Sequence, residues 1–120
     1  MMRTALILLV ALLGLASAQA EPLVATGVGG ATCKEFNEQR KSQPKFTENR
    51  YFIWAQGFLS GLNAGQLESQ KLYFDMASLD IETQLKLIRQ YCEKNPQHHY
   101  FMAAMFLGTQ MKRVEIDQRR

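Results

Sequence analysis

Apolar positions along the chain form one unbroken run near the start and three periodic segments further on. Ala5 to Leu15 is apolar almost without interruption. Downstream, Tyr51, Trp54, Ala55, Phe58, Leu59 and Leu62 recur at spacings of three and four, the period of a helix with one buried face. Thr47 is the expected N-cap of that helix, and Asn63 or Ala64 its end, with Gly65 in the left-handed position beyond. A second stripe, Ile81, Leu85, Ile88 and Cys92, is widened by Leu87 and Tyr91 and follows a capping Asp80 or Ser78. Asn95-Pro96 then predicts a helix stop and a new start, because proline is favoured at the first helical position. The fourth helix is expected to run to about Val114, and its segment Tyr100 to Leu107 is apolar on every side, which predicts burial in a bundle or at a subunit contact. A shorter helix starts after Thr32, turns Cys33, Phe36 and Asn37 inward, and ends in the polar stretch Arg40 to Lys45 with Pro44. Leu72, Tyr73 and Phe74 form an apolar island, either a helical turn or a loop over the core. No period-two alternation is found, so the expected fold class is all-α, a small single-domain bundle of about four helices.

The opening run changes the picture of where this domain works. Arg3, the apolar run and Ala18-Gln19-Ala20 have the order of a cleavable export signal, so residues 1–20 read as a signal peptide. The run is too short to span about 30 Å of hydrocarbon, so no membrane association is expected once it is removed. Residues 21–31, rich in glycine and small side chains, read as a flexible leader; residues 32–114 as the helical domain; residues 115–120 as a charged tail. Losing Arg3 takes the basic count from 14 to 13 against 11 acidic residues, a balance of +2 without a dense basic patch, which argues against nucleic acid as a partner. The two cysteines, Cys33 and Cys92, are most simply read as one inter-helix disulfide in an oxidising compartment. Closing a loop of that length stabilises a fold by roughly 4 kcal/mol on the chain-entropy model.

Candidate chemistry is sparse. Ser60 lies in Gly57-Phe58-Leu59-Ser60-Gly61, on a helix and at the wrong spacing for a nucleophile elbow. His98 and His99 are adjacent, so on a helix they diverge by about 100° and do not grip one metal ion. Asp75, Asp80 and Glu82 are as well explained by helix capping as by acid–base work. No cofactor, metal or catalytic set is therefore expected, and the chain reads as a non-enzyme. Gly57, Gly61 and Gly65 repeat every four residues, which predicts close packing of another helix inside the domain. Trp54 and Phe58, with Tyr100, Phe101, Met102, Met105 and Phe106, make up the candidate surface, serving either as core or as contact for a protein partner; flexible methionines suit varied apolar partners.

Thr32-Cys33-Lys34-Glu35-Phe36, then Trp54-Ala55-Gln56-Gly57-Phe58-Leu59-Ser60-Gly61-Leu62-Asn63, then Tyr91-Cys92-Glu93-Lys94-Asn95-Pro96 followed by Ala103-Ala104, resemble small exported bacterial proteins grouped with the HdeA/HdeB acid-stress chaperones. The resemblance spans nearly the whole chain after residue 31. It implies a helical fold with Cys33 joined to Cys92, a periplasmic location and, for the chaperones proper, a homodimer that loosens in acid and shields unfolded clients. A weaker likeness to the Rap1a/Tai type of exported immunity proteins implies the alternative, tight binding of one secreted toxin.

Overall fold

The computed structural model describes residues 22–116, so the expected export signal and residues 117–120 lie outside it. A 3-10 helix (Gly27–Gly30) precedes α1 (Cys33–Ser42), α2 (Pro44–Gln70), β1 (Leu72–Asp75), α3 (Ile81–Lys94), α4 (Tyr100–Gln110) and β2 (Lys112–Glu115). The fold is thus mostly helical, but not strictly all-α. The island at Leu72 pairs antiparallel with the segment after α4, Leu72 opposite Glu115 and Asp75 opposite Lys112. Neither strand exceeds four residues, and β2 carries three charges in Lys-Arg-Val-Glu, too short and too polar for an alternating pattern to register.

Helix starts follow local chemistry. Thr32 and Glu35 form a reciprocal capping box: the Glu35 amide donates to Thr32 Oγ1 at 3.1 Å, and the Thr32 amide to Glu35 Oε2 at 2.7 Å. Asp80 Oδ1 accepts from the Thr83 amide at 2.7 Å and opens α3. At α2 the expectation is corrected. The helix starts at Pro44, three residues before Thr47, because proline at the first position loses no hydrogen bond. Thr47 is instead buried inside the first turns.

The end of α2 is corrected as well. Gly65 stays helical, the helix runs on to Gln70, and Lys71 takes the left-handed turn at φ 54°. Tertiary bonds outweigh the glycine preference: the Asn63 side chain donates to the Phe74 carbonyl at 2.8 Å and accepts from the Phe74 amide at 2.9 Å, so β1 docks on the last turns of α2. Nor does any described helix pack on the glycine face. A Cβ built at Gly57, Gly61 or Gly65 meets nothing within 4 Å.

Asn95-Pro96 ends α3 but does not start α4, which begins only at Tyr100. The intervening turn has another use. Its carbonyls at Pro96 and His98 accept from the Lys34 and Cys33 amides at 2.9 and 2.7 Å, satisfying donors that the start of α1 leaves without helical partners. The Tyr100 amide donates in return to the Ala31 carbonyl at 2.8 Å. Residues 27–31, read as a flexible leader, are therefore built into the fold from the 3-10 helix onward.

At the centre of this seam lies the disulfide Cys33–Cys92, with Cα atoms 4.8 Å apart and both residues fully buried. Phe36, Tyr51 and Tyr100 pack in the same core, ring centroids 4.8 to 5.2 Å apart, one ring each from α1, α2 and α4. Outside the core, Glu48 on α2 accepts from Arg89 on α3 at 2.7 Å, and Arg40 Nε on α1 lies 3.3 Å from the same oxygen. No described helix is long and apolar enough to cross a membrane.

Burial, reinforced by Tyr51 and Glu48, holds the Tyr100 phenol neutral far above the ordinary tyrosine range. An acid whose folded value is raised contributes stability that is complete below its unfolded value, near 10.0, and is lost as pH climbs beyond it. Stability should therefore fall above pH 10, by up to about 1.4 kcal/mol per pH unit for this group. Urea unfolding from pH 8 to 11 should give a shallower alkaline loss in Tyr100→Phe than in the parent protein. Equal slopes would contradict the buried phenol.

Candidate functional site

Helix α4 has too many apolar residues to bury them all. Tyr100, Ala103, Ala104, Leu107 and Gly108 face the core, and the small residues among them let the helix sit close. A Cβ at Gly108 would come within 3.0 Å of Leu59 and 3.4 Å of Phe74. Phe101, Met102, Met105 and Phe106 occupy the opposite arc, since residues four apart on a helix stack on one side. Met105 is 47% exposed and the other three are half-buried.

Each end of this arc carries an aromatic pair and a groove. Phe101 stacks on His99, with centroids 6.1 Å apart, above a groove of about 260 Å³ shared with Pro22 to Ala25 and Gly30. Phe106 stacks on Tyr91 at 5.2 Å above a groove of about 290 Å³ bordered by Leu87, Gln90, Lys94 and Asn95. No carboxylate lines either groove. Met102 and Met105 thus form a flexible apolar ridge between two rigid aromatic edges, a form suited to apolar side chains of another polypeptide.

The two histidines hold the aromatic edges in place. His99 Nδ1 is 2.9 Å from the Gly30 carbonyl, which only accepts, so that nitrogen carries the proton. His98 Nδ1 meets the Tyr91 hydroxyl at 2.7 Å, and burial pushes the Tyr91 phenol up. The pair serves different partners in the turn before α4, and no described group of three His, Cys, Asp or Glu side chains could hold a metal ion.

The seven residues of the candidate surface, Trp54, Phe58, Tyr100, Phe101, Met102, Met105 and Phe106, do not lie on one face. Tyr100 is core, 1% exposed. Trp54 and Phe58 stack at 5.2 Å on α2, where the 3-10 helix covers the indole: Gly27 adopts φ 65°, and a Cβ on Gly29 would fall 1.9 Å from the Trp54 ring. Phe101, Met102, Met105 and Phe106 alone make an outward face. Tyr91 and the leader residues Leu23 and Val24 join it, the last two 76% and 83% exposed. Tyr91 sat at the margin of the α3 stripe, and Leu23-Val24 is the one bulky apolar pair in an otherwise small-residue leader.

The remaining candidate groups are engaged in local structure. Ser60 Oγ donates to the Gln56 carbonyl at 2.7 Å within its own helix. Asp75 Oδ1 accepts from the Ala77 amide at 3.0 Å, and the Thr83 amide and hydroxyl hold the Asp80 carboxyl below its ordinary range. Comparison with protein-family models, with curated proteins and with solved structures gives no match for this chain.

Gly29→Ala should displace the 3-10 helix from the chain's single tryptophan, shifting Trp54 emission to longer wavelength and costing about 1 to 3 kcal/mol of stability. Unchanged emission and stability would show that the leader does not rest on Trp54.

Proposed function

We propose that this is a non-enzymatic protein-binding module of HdeA-like type that works in the periplasm after loss of residues 1–20, shielding apolar segments of unfolded clients under acid stress. The observation that carries this reading is the outward arc of α4, where Phe101, Met102, Met105 and Phe106 are turned away from a core that Tyr100, Ala103, Ala104 and Leu107 complete. An apolar face on a stable domain is a binding feature more often than a packing accident.

Acid gives the face a means of enlarging. Near pH 2 the 11 carboxylates lose their charge while the Lys and Arg side chains keep theirs, so the domain repels itself. Protonating Glu48 leaves the Arg40 and Arg89 guanidiniums facing each other without the oxygen between them. The contact joining α1, α2 and α3 then turns from attraction to repulsion. Loosening there exposes more of α3 and α4, and the disulfide limits how far the chain opens.

Light scattering of an aggregating client at pH 2 to 3 and at pH 7 tests the reading. The protein should suppress scattering in acid alone, and Phe101→Ser with Met105→Ser should remove at least about half of that effect. No suppression by the parent protein at either pH would overturn the chaperone role. A single toxin-like partner would then be sought by pull-down at neutral pH, the outcome that the immunity-protein likeness anticipates.

A further inference from the structure

The described residues offer oxidants no free thiol. Both cysteines are held in the buried disulfide, so the thioethers of methionine are the softest nucleophiles present. Their surroundings differ. Met111 is 5% exposed and belongs to the core. Met76 packs against the core, and its sulfur accepts from the Ser60 hydroxyl at 3.7 Å. Met102 is half-buried on the outward arc of α4, whereas Met105 stands 47% exposed in the middle of that arc. Trp54, the other side chain that strong oxidants attack, lies under the 3-10 helix.

We propose that Met105 is a site of reversible oxidation to the sulfoxide by hypohalous acids, which turns the α4 ridge from apolar to polar and leaves the fold intact. With hypochlorous acid, the thioether sulfur bonds to chlorine and hydroxide departs. Water then displaces chloride from the chlorosulfonium, and loss of two protons, one of which neutralises the hydroxide, leaves the S=O bond. Sulfur gives up two electrons, and chlorine takes them and ends as chloride. Two thiols reverse the change, returning the thioether and forming a disulfide and water.

Position decides the consequence. Met105 lies one turn beyond Phe101 and next to Phe106, where a sulfoxide oxygen takes its hydrogen bonds from water and disturbs no packed neighbour. An apolar segment laid across the ridge has to strip that water away, which weakens its binding. The same oxygen on Met111 would enter the core. Oxidation at Met105 therefore alters the surface without unfolding the domain. The loss of client binding rests on the chaperone reading proposed above; the site of oxidation and the change of polarity do not.

The purified protein, disulfide intact, is treated with hypochlorite up to about two equivalents, and the sulfoxide at each methionine is measured by peptide mass spectrometry. Met105 should be oxidised at least about fivefold faster than Met76 and Met111. Retention on a hydrophobic-interaction column at pH 7 should fall in step, with an unchanged thermal midpoint. The two epimer-specific sulfoxide reductases with dithiothreitol should restore it. Untreated Met105→Gln should shift retention in the same direction, and Met105→Leu, which has no sulfur there, should elute alike before and after treatment. In the acid scattering assay, oxidation should remove at least about half of the parent protein's suppression. Equal oxidation of Met105 and Met111, or a retention shift that persists in Met105→Leu, would overturn the site. Undiminished suppression by the oxidised protein would overturn its effect on clients. A parent protein that never suppresses scattering defeats the chaperone reading instead, and the mapping and retention still decide the site.

Discussion

The Cys33–Cys92 bond joins the start of α1 to the end of α3 across 59 positions, and the remaining elements are arranged around that point. Because the bond brings two helix ends together, the turn after Cys92 runs beside the residues before Cys33. That proximity lets the Pro96 and His98 carbonyls close the first amides of α1, and lets Ala31 receive the Tyr100 amide. Tyr100 is thereby delivered to the aromatic cluster with Phe36 and Tyr51, and α4 is fixed at its first residue. A small domain with a modest core gains much from one covalent constraint of this kind.

With α4 anchored in that way, the division of its residues is determined. Alanines and Gly108 give the close approach to α2 and β1, so the bulky residues one step around the helix are pushed outward. The same logic applies to α2, whose Tyr51, Ala55 and Leu59 fill the core while Phe46 and Ile53 do not. Two apolar faces therefore emerge: a ridge edged by His99–Phe101 and Tyr91–Phe106, and a strip of α2 that carries the exposed Phe46 and Ile53.

Where a single residue's chemistry decides a boundary, the sequence was legible. Thr32 and Asp80 cap their helices as their short oxygen-bearing side chains dictate, and Tyr51, Ala55 and Leu59 on α2 and Ile88 and Cys92 on α3 are buried at the expected spacing, whereas Ile81, expected to head the α3 stripe, is 61% exposed and Gln84 is buried in that helix instead. It failed where a distant contact decides. Gly65 has the local preference of a helix end, but Asn63 and the docked strand at Phe74 keep the helix going. Leu72 to Phe74 and Lys112 to Glu115 become strands only because they meet each other. The candidate surface failed in a third way: a helix apolar on every side carries no periodic mark of which face turns inward, so Tyr100 and Phe101 look equivalent until the disulfide seam orients the helix.

Comparing the oxidised protein with a Cys33→Ser, Cys92→Ser variant, by thermal unfolding and by amide hydrogen exchange, tests this dependence most directly. The midpoint of the variant should be lower by roughly 15 °C or more. Faster exchange should be concentrated at the amides of position 33, Lys34 and Tyr100, which bond across the seam. An unchanged midpoint with those amides still protected would contradict this dependence, because the seam would then hold without the disulfide.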